Sequence, residues 1–492
     1  MSRGCDRFFT AAFLGLLVCG SLALAAAPFT PLHPWLFALP LALAALRPVR
    51  QEVSTCVPAR GHIATLAAFA VVLAALESIV DPLYDSALYH TQLTSWMSTY
   101  GLPPGLGLLH YRLGFSSSWF ALGALFDHGF LVHRMSRCVT GFALLLLLAQ
   151  SAWAFARCFR SSDAQTSHET ARNWFLVGAM PVLLVISNQL VLSASPSPNF
   201  GVAAATVFAA WLVVEGPTSL GFLVACAATA VKMSTGPMAL VLFHRARPIV
   251  WVVAVALAAP IFWANYWTTG CPAFPASLCF ESTHSLGGGE AKRIALETLN
   301  FARNASDFRT PYADNAWVGG WLRQWDNQVV FVPAALGLLV ILVTRTWNRA
   351  VALALASTFY CLVSAPSPRF AFGSAAVLVG VAAVAGSRYQ HFRVLVLLCS
   401  VLLVMNSAFI VWLRAPQLDP SSYWLLPSPA YLHGQSGKQL LHHGLPLNLP
   451  PRDDRCGALP LPCTPYPPDV DVGLCDPARG LSAGFCRWPF PR

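Results

Sequence analysis

Charge is what this chain has least of. Only 11% of its 492 residues are Asp, Glu, Lys or Arg, against 56% hydrophobic, and the mean hydropathy is +0.57. Soluble globular domains carry about 25% charged residues, so a water-exposed surface over most of the molecule is excluded. The apolar surplus belongs against lipid. Acidic residues are the scarcer sign, 21 against 31 Lys and Arg, for a net charge of +10. That excess does not mark a nucleic-acid partner. Its Lys and Arg lie scattered at the ends of apolar runs, where membrane topology places them. Several catalytic signatures are also missing: a P-loop, G-x-S-x-G, H-E-x-x-H, a Rossmann G-x-G-x-x-G, and any C-x₂-C metal spacing. No internal repeat is evident.

What is present is a series of apolar runs, each near the ~20 residues needed to cross ~30 Å of hydrocarbon. They are Phe8–Ala27, Phe29–Leu46, His62–Val80, Cys138–Ala156, Trp174–Leu192, Phe200–Val214, Leu220–Val231, Met233–Phe243, Ile249–Trp267, Val329–Val343, Ala350–Val363, Phe370–Ala385 and Val394–Leu413. The expected fold is an all-α polytopic membrane protein, a helical bundle of about 11–13 spans with external loops. Short runs suit helices shielded in the bundle or broken beside a cavity. Residues 1–61 form an N-terminal hairpin or signal-anchor region, 62–413 the transmembrane domain, and 414–492 a tail. Arg3 and Arg7, the first run and Ala25-Ala26-Ala27 fit a cleavable signal peptide or a retained anchor equally.

Arginines assign sides. Arg47, Arg50 and Arg60, then Arg157, Arg160 and Arg172, then Arg245 and Arg247, then Arg345 and Arg349, and last Arg388 and Arg393 all fit the cytoplasmic side. This requires that Ser116–Val132, interrupted by Asp127 and His128, does not cross, although Arg134 and Arg137 follow it. Asp81–Arg137, Thr268–Gln328 and Arg414–Arg492 then lie outside. The cytoplasmic loops leave no room for a nucleotide-sugar domain. Six cysteines fall in the external segments, as expected of an oxidising compartment: Cys271, Cys279, Cys456, Cys463, Cys475 and Cys486. Cys271 with Cys279 forms a plausible loop staple, and the four tail cysteines allow three pairings. The tail's Pro-rich runs favour extended, turn-linked backbone in an external cap.

Polar chemistry concentrates after the His62 run. Asp81-Pro82-Leu83-Tyr84-Asp85 leads to His90, and the loop continues through Pro103-Pro104-Gly105 to His110, Tyr111 and Arg112. Two carboxylates and a histidine at a membrane face suit a base within reach of a lipid headgroup. Asp85 and His90, five residues apart, do not share an α-helical face well. Arg369, behind Pro366 and Pro368, presents a fork suited to phosphate. Lys232, inside apolar sequence before Ser234-Thr235-Gly236-Pro237, marks a helix break, and a lysine there needs a partner or a role. Tyr266 to Pro275 leaves a span into the second external loop. That loop carries Asp307-Phe308-Arg309, Trp317, Trp321 and Trp325, and the sequon Asn304-Ala305-Ser306.

These pieces resemble the C-type (GT-C) membrane glycosyltransferases: the acidic residue Asp85 after an early span, the long first loop with Pro103-Pro104, the Lys232 break, Tyr266 through Pro272, and Pro368-Arg369-Phe370. The similarity covers roughly His62–Leu413. The spacing of the acidic pair departs from the family pattern, so Asp81 and Asp85 both stand as candidates, and the cysteine-bearing tail is not a general feature of the class. The resemblance implies a polyprenyl-phosphate-linked donor of a hexose or pentose, a glycan, lipid or protein acceptor, surrounding membrane lipids as partners, and no cofactor or metal. Asp85 is then the general base, and Arg369, with Arg112 or His110, steadies the leaving lipid phosphate. His90 and Lys232 join as substrate-binding residues. The competing reading is a transporter or flippase of an anionic lipid or glycan. A third is a structural or assembly protein with a docking tail. The enzyme reading expects Asp85 and Arg369 to line one outward-facing cavity.

Overall fold

A computed structural model describes residues 2–38, 60–78, 83–159, 167–189, 192, 195–214, 218–243, 247–303, 315–414, 437–451, 454–468 and 470–488. Asp81, the sequon at Asn304 and the Asp307-Phe308-Arg309 group lie outside the described residues. The architecture is a mostly helical bundle. Among the described residues six helices are long and apolar enough to cross a membrane, and Ile63–Glu77, Pro198–Val213, Ser219–Val231, Arg349–Ser364 and Gln390–Asn406 are shorter apolar ones.

Helix α1 (Ser2–Ala26) buries Phe9, Phe13, Leu17 and Leu24 in the bundle. The run expected at Phe29–Leu46 does not start as a helix. Pro28, Pro31 and Pro34 withhold backbone donors, and a 3₁₀ turn, Pro34–Phe37, forms there; residues 39–46 of the run lie outside the described residues. Helix α2 (Arg60–Glu77) leads to the first loop, which holds α3 (Thr91–Thr99) and α4 (Ser118–Ala124). As expected, Ser116–Val132 does not cross: α4 has seven residues, about 10 Å at 1.5 Å per residue. Helices α5 (Met135–Phe159), α6 (Ser167–Gln189), α7 (Pro198–Val213) and α8 (Thr218–Val231) follow. Lys232 breaks the chain with extended backbone. The expected Met233–Phe243 span is instead a 3₁₀ turn and the six-residue α9 (Gly236–Val241). Gly236-Pro237 restarts the helix too late for a crossing.

Next come α10 (Pro248–Thr269), α11 (Gly287–Ala302), α12 (Trp317–Arg323), α13 (Trp325–Thr344), α14 (Arg349–Ser364), α15 (Pro368–Gly386) and α16 (Gln390–Arg414). Helix α15 is the axis, packed on α6, α7, α13 and α14. Helix association in lipid depends on close van der Waals fit, which small residues permit. A Cβ on Gly178 would come within 2.5 Å of the Ala383 methyl, and one on Gly373 within 2.7 Å of the Ala203 Cα. Val252, Leu339 and Leu402 on α10, α13 and α16 are exposed, as lipid-facing side chains should be.

The two ends of the bundle differ. At one, Arg157 pairs with Asp6 at 3.1 Å and the Arg172 guanidinium donates to the Leu212 carbonyl. The other carries the first loop. There Arg137 lies 3.7 Å from Glu77, both buried. This pairing accounts for an arginine at the loop end that the charge rule disfavours.

The tail, expected to be extended and turn-linked, also holds short strands beside the mostly helical bundle. Strands β1 (Lys438–His442) and β2 (Leu445–Leu449) form one antiparallel hairpin, and β3 (Val472–Leu474) pairs with β4 (Phe485–Arg487). Cys456–Cys463, Cys475–Cys486 and, in the second loop, Cys271–Cys279 are disulfides. The tail sits on the first loop. Phe485 N–H donates to the Pro104 carbonyl at 2.8 Å, and the Phe485 ring meets Trp96 edge-on. Gly457 N–H donates to the Ala87 carbonyl, while the Gln92 amide donates to the carbonyls of Gly457 and Leu459. The loop in turn rests on α1, where Leu102 N–H donates to the Ala27 carbonyl.

Gly105 is the tightest point of this contact. Its φ is +69°, and a Cβ there would lie 2.1 Å from the Phe485 carbonyl oxygen. Gly105→Ala is therefore expected to destabilise the cap by on the order of 1–3 kcal/mol. In limited trypsinolysis it should speed cleavage at Lys438 and Arg479, whereas Gly15→Ala, which meets nothing within 4 Å, should not.

Candidate active site at the loop end of the bundle

Two helix starts share one local design. Ser195-Pro196-Ser197-Pro198-Asn199 opens α7, and Ala365-Pro366-Ser367-Pro368-Arg369 opens α15. In both, a serine precedes a proline at the first helical position, where the missing N–H costs nothing. The next residue, Asn199 or Arg369, is thereby delivered to the loop end. This recurrence is the signal by which Asn199 could have been found in the sequence. The second device is the turn Ser86–His90, which is π-helical. Its wider winding brings residue i+5 back near residue i. Asp85 and His90 consequently interact electrostatically, correcting the expectation from α-helical spacing.

The Arg369 guanidinium donates to the Asp85 carboxylate at 3.0 Å, with the two side chains 24% and 20% exposed. Lys232 Nζ donates to Asn199 Oδ1 at 2.7 Å and lies 3.5 Å from the centroid of the Phe370 ring. Arg112 lies over the Tyr111 ring at 5.2 Å, and its Nε is buried without a hydrogen-bond partner. Arg112, Arg369 and Lys232 all act electrostatically on this neighbourhood. Burial raises the Asp85 carboxyl, but Arg369, His90 and Arg112 outweigh it and hold the group below the usual carboxylate range.

His90 is buried against Tyr89 and Phe120, and its Nδ1 has no hydrogen-bond partner. Burial drives its pKa down to about 3 despite Asp85, with Arg369 and Lys232 adding to the fall. It is therefore a neutral imidazole near pH 7.

His110 does not join the ion cluster. Its Nε2 and the Tyr466 hydroxyl share a hydrogen bond at 3.1 Å, beside a narrow cleft lined also by Tyr111, Leu286, Glu290 and Arg293. Burial, then Arg112, lowers its pKa to about 3. Sequence reasoning missed the tail's share of this end. Tyr466 holds His110, and Asp454 accepts a hydrogen bond from the Tyr84 hydroxyl one residue from Asp85. Long-range partners such as these leave no local pattern. Of the cysteine-bearing clusters, His284 lies within 3.5 Å of both Cys475 and Cys486 sulfurs, but the disulfide removes them as thiolate ligands.

Fold and site together define a polytopic helical membrane protein with a charged, tail-capped polar centre at one end. The chain belongs to the family described as Domain of unknown function (DUF8201), whose model matches residues 1–376. Asp85, His90, His110, Arg112, Lys232 and Arg369 all fall within that match; the capping tail lies beyond it. No curated protein and no solved structure matches the chain.

The two buried imidazoles give a pH dependence of stability. Their folded pKa values, about 3, lie below the ordinary 6.5. Below pH 6.5 the unfolded chain binds protons that the folded chain refuses, so stability is present above 6.5 and falls as pH drops toward 3. Thermal melting in detergent should show a midpoint that declines from pH 7 to pH 5, with a shallower decline for His90→Gln. An unchanged slope in that variant would remove His90 as a source.

Proposed function

We propose that this protein is a membrane glycosyltransferase that moves a sugar from a polyprenyl-phosphate-linked donor to an acceptor hydroxyl on the extracytoplasmic side. One observation carries the reading: Asp85 is paired with Arg369 in a neighbourhood that also holds Arg112 and Lys232. Three cations face a single carboxylate at the end of a lipid-embedded bundle. Such an excess of positive charge suits an anionic headgroup, and Arg suits phosphate in particular. The resemblance to the C-type glycosyltransferases adds the sugar and the polyprenyl carrier.

The chemistry follows from the pairing. The donor phosphate competes for Arg369 and frees the Asp85 carboxylate from its strongest restraint, which makes it a better base. The acceptor hydroxyl attacks the anomeric carbon and gives its proton to Asp85. The bond from that carbon to the phosphate oxygen breaks, and the electron pair leaves on polyprenyl phosphate. Arg369, Arg112 and Lys232 stabilise that developing charge, which preorganised groups do without reorganising. The cleft beside His110, with the Tyr111 and Tyr466 rings and Glu290, offers the acceptor a polar approach.

The test is sugar transfer or donor hydrolysis by purified protein across a panel of polyprenyl-phosphate sugars. Asp85→Asn should lose about 10²–10⁴-fold in turnover. Arg369→Ala should lose about 10²–10³-fold, and Arg369→Lys less. Turnover unaffected by Asp85→Asn moves the base elsewhere, with Asp81 next. Donor movement across vesicles without bond cleavage replaces the enzyme by a flippase.

A further inference from the structure

The tail carries a second group of chemistry-bearing side chains, apart from the ion cluster. The β1–β2 hairpin turns through His443 and Gly444, at φ 45° and 79°. Positive φ at both central residues is the geometry of a tight two-residue hairpin turn. It leaves His442 at the end of β1 and His443 in the turn, with ring centroids 4.6 Å apart. Asp471, just before β3, faces them: His443 Nε2 lies 3.1 Å from Asp471 Oδ1. One ligand atom from each of His442, His443 and Asp471 lies within 4.8 Å of the others. His442 Nε2 is buried and has no hydrogen-bond partner.

We propose that His442, His443 and Asp471 form a zinc-binding site that pins the β1–β2 hairpin to the β3–β4 sheet. Tetrahedral zinc takes imidazole nitrogens and carboxylate oxygens at about 2.0–2.2 Å, which sets neighbouring ligand atoms ~3.3–3.5 Å apart. The His443–Asp471 separation is already close to that, and a small rotation of His442 closes the third side. An orphaned imidazole nitrogen gains the partner it lacks. One neighbour holds two of the ligands in place. Trp488 stacks on the His443 ring at 5.6 Å, and its N–H donates to the Asp471 carbonyl at 2.8 Å. Three protein ligands leave a fourth position for water. Two imidazoles disfavour Mg²⁺ and Ca²⁺, which prefer oxygen. The disulfides Cys456–Cys463 and Cys475–Cys486 each close a short local loop; the metal links the hairpin to the entry of β3, ahead of the second disulfide.

The test is calorimetric titration of ZnCl₂ into full-length protein in detergent, made without a polyhistidine tag and stripped with EDTA. One saturable equivalent per chain is expected, together with slower trypsin cleavage at Lys438 when zinc is present. His442→Ala and Asp471→Asn should each weaken binding about tenfold or more, and both should melt like wild type in EDTA. No saturable binding overturns the proposal, as does equal affinity in the double variant. Tight Cu²⁺ or Ni²⁺ binding with zinc refused overturns the choice of metal.

Discussion

The Asp85–Arg369 ion pair is the constraint on which the loop end of this protein depends. It joins residues 284 apart in the chain, one in the first loop and the other at the start of the central helix α15. At a membrane boundary a charge without a partner costs several kcal/mol, so each partner restricts where the other can sit. The first loop is thereby set over α15, and Arg112 and Lys232 are brought into the same electrostatic neighbourhood. One carboxylate cannot neutralise three cations. The centre keeps a deficit of negative charge that a phosphate fills, so the interaction that organises the site also defines what it suits.

A second layer of constraint comes from the tail. Its described residues 437–488 add no α-helix to the bundle, yet they hydrogen-bond Pro104, Ala87, Gln92 and His110 from outside. The first loop is therefore held from two sides, by α1 through Leu102 and by the tail through Phe485 and Gly457. Extended, Pro-rich backbone buries little apolar surface of its own. Disulfides supply the missing order by restricting the unfolded chain, each closing a loop of about ten residues for ~2–3 kcal/mol. The family match stops at residue 376, so the polar centre and the tail that covers it are separable in sequence while joined in space.

Much of this was legible in the chain. The break at Lys232 followed from an ionisable residue ahead of Gly236-Pro237, and the failure of Ser116–Val132 to cross followed from placing the arginine clusters on one side, with Asp127 and His128 interrupting the run. The Cys271–Cys279 staple followed from proximity. Other features were not legible. The π turn at Ser86–His90 differs from α-helix by one residue in its hydrogen-bond register, and composition does not report register. Met233–Phe243 is apolar enough to span, but its glycine and proline override hydropathy by breaking and restarting the helix. The tail's pairings, Cys456–Cys463 and Cys475–Cys486, were one choice among three that spacing left open. The strands that carry His442 and Phe485, and the one that follows Asp471, are three to five residues long, too short for a clear alternation.

The sequence by itself determined that this is a membrane-embedded helical protein, and it determined which residue types stand at the helix ends. Both are local properties: hydropathy over about 20 residues, and the conformational limits of proline, glycine and charge beside lipid. Only the tertiary structure decided that Asp85 meets Arg369, that Lys232 meets Asn199 and Phe370, that His110 turns to Tyr466 in the tail, and that His442 and His443 face Asp471. Those meetings depend on how helices pack and in what register. That is settled by close contacts such as Gly178 against Ala383, between residues that no stretch of sequence holds together.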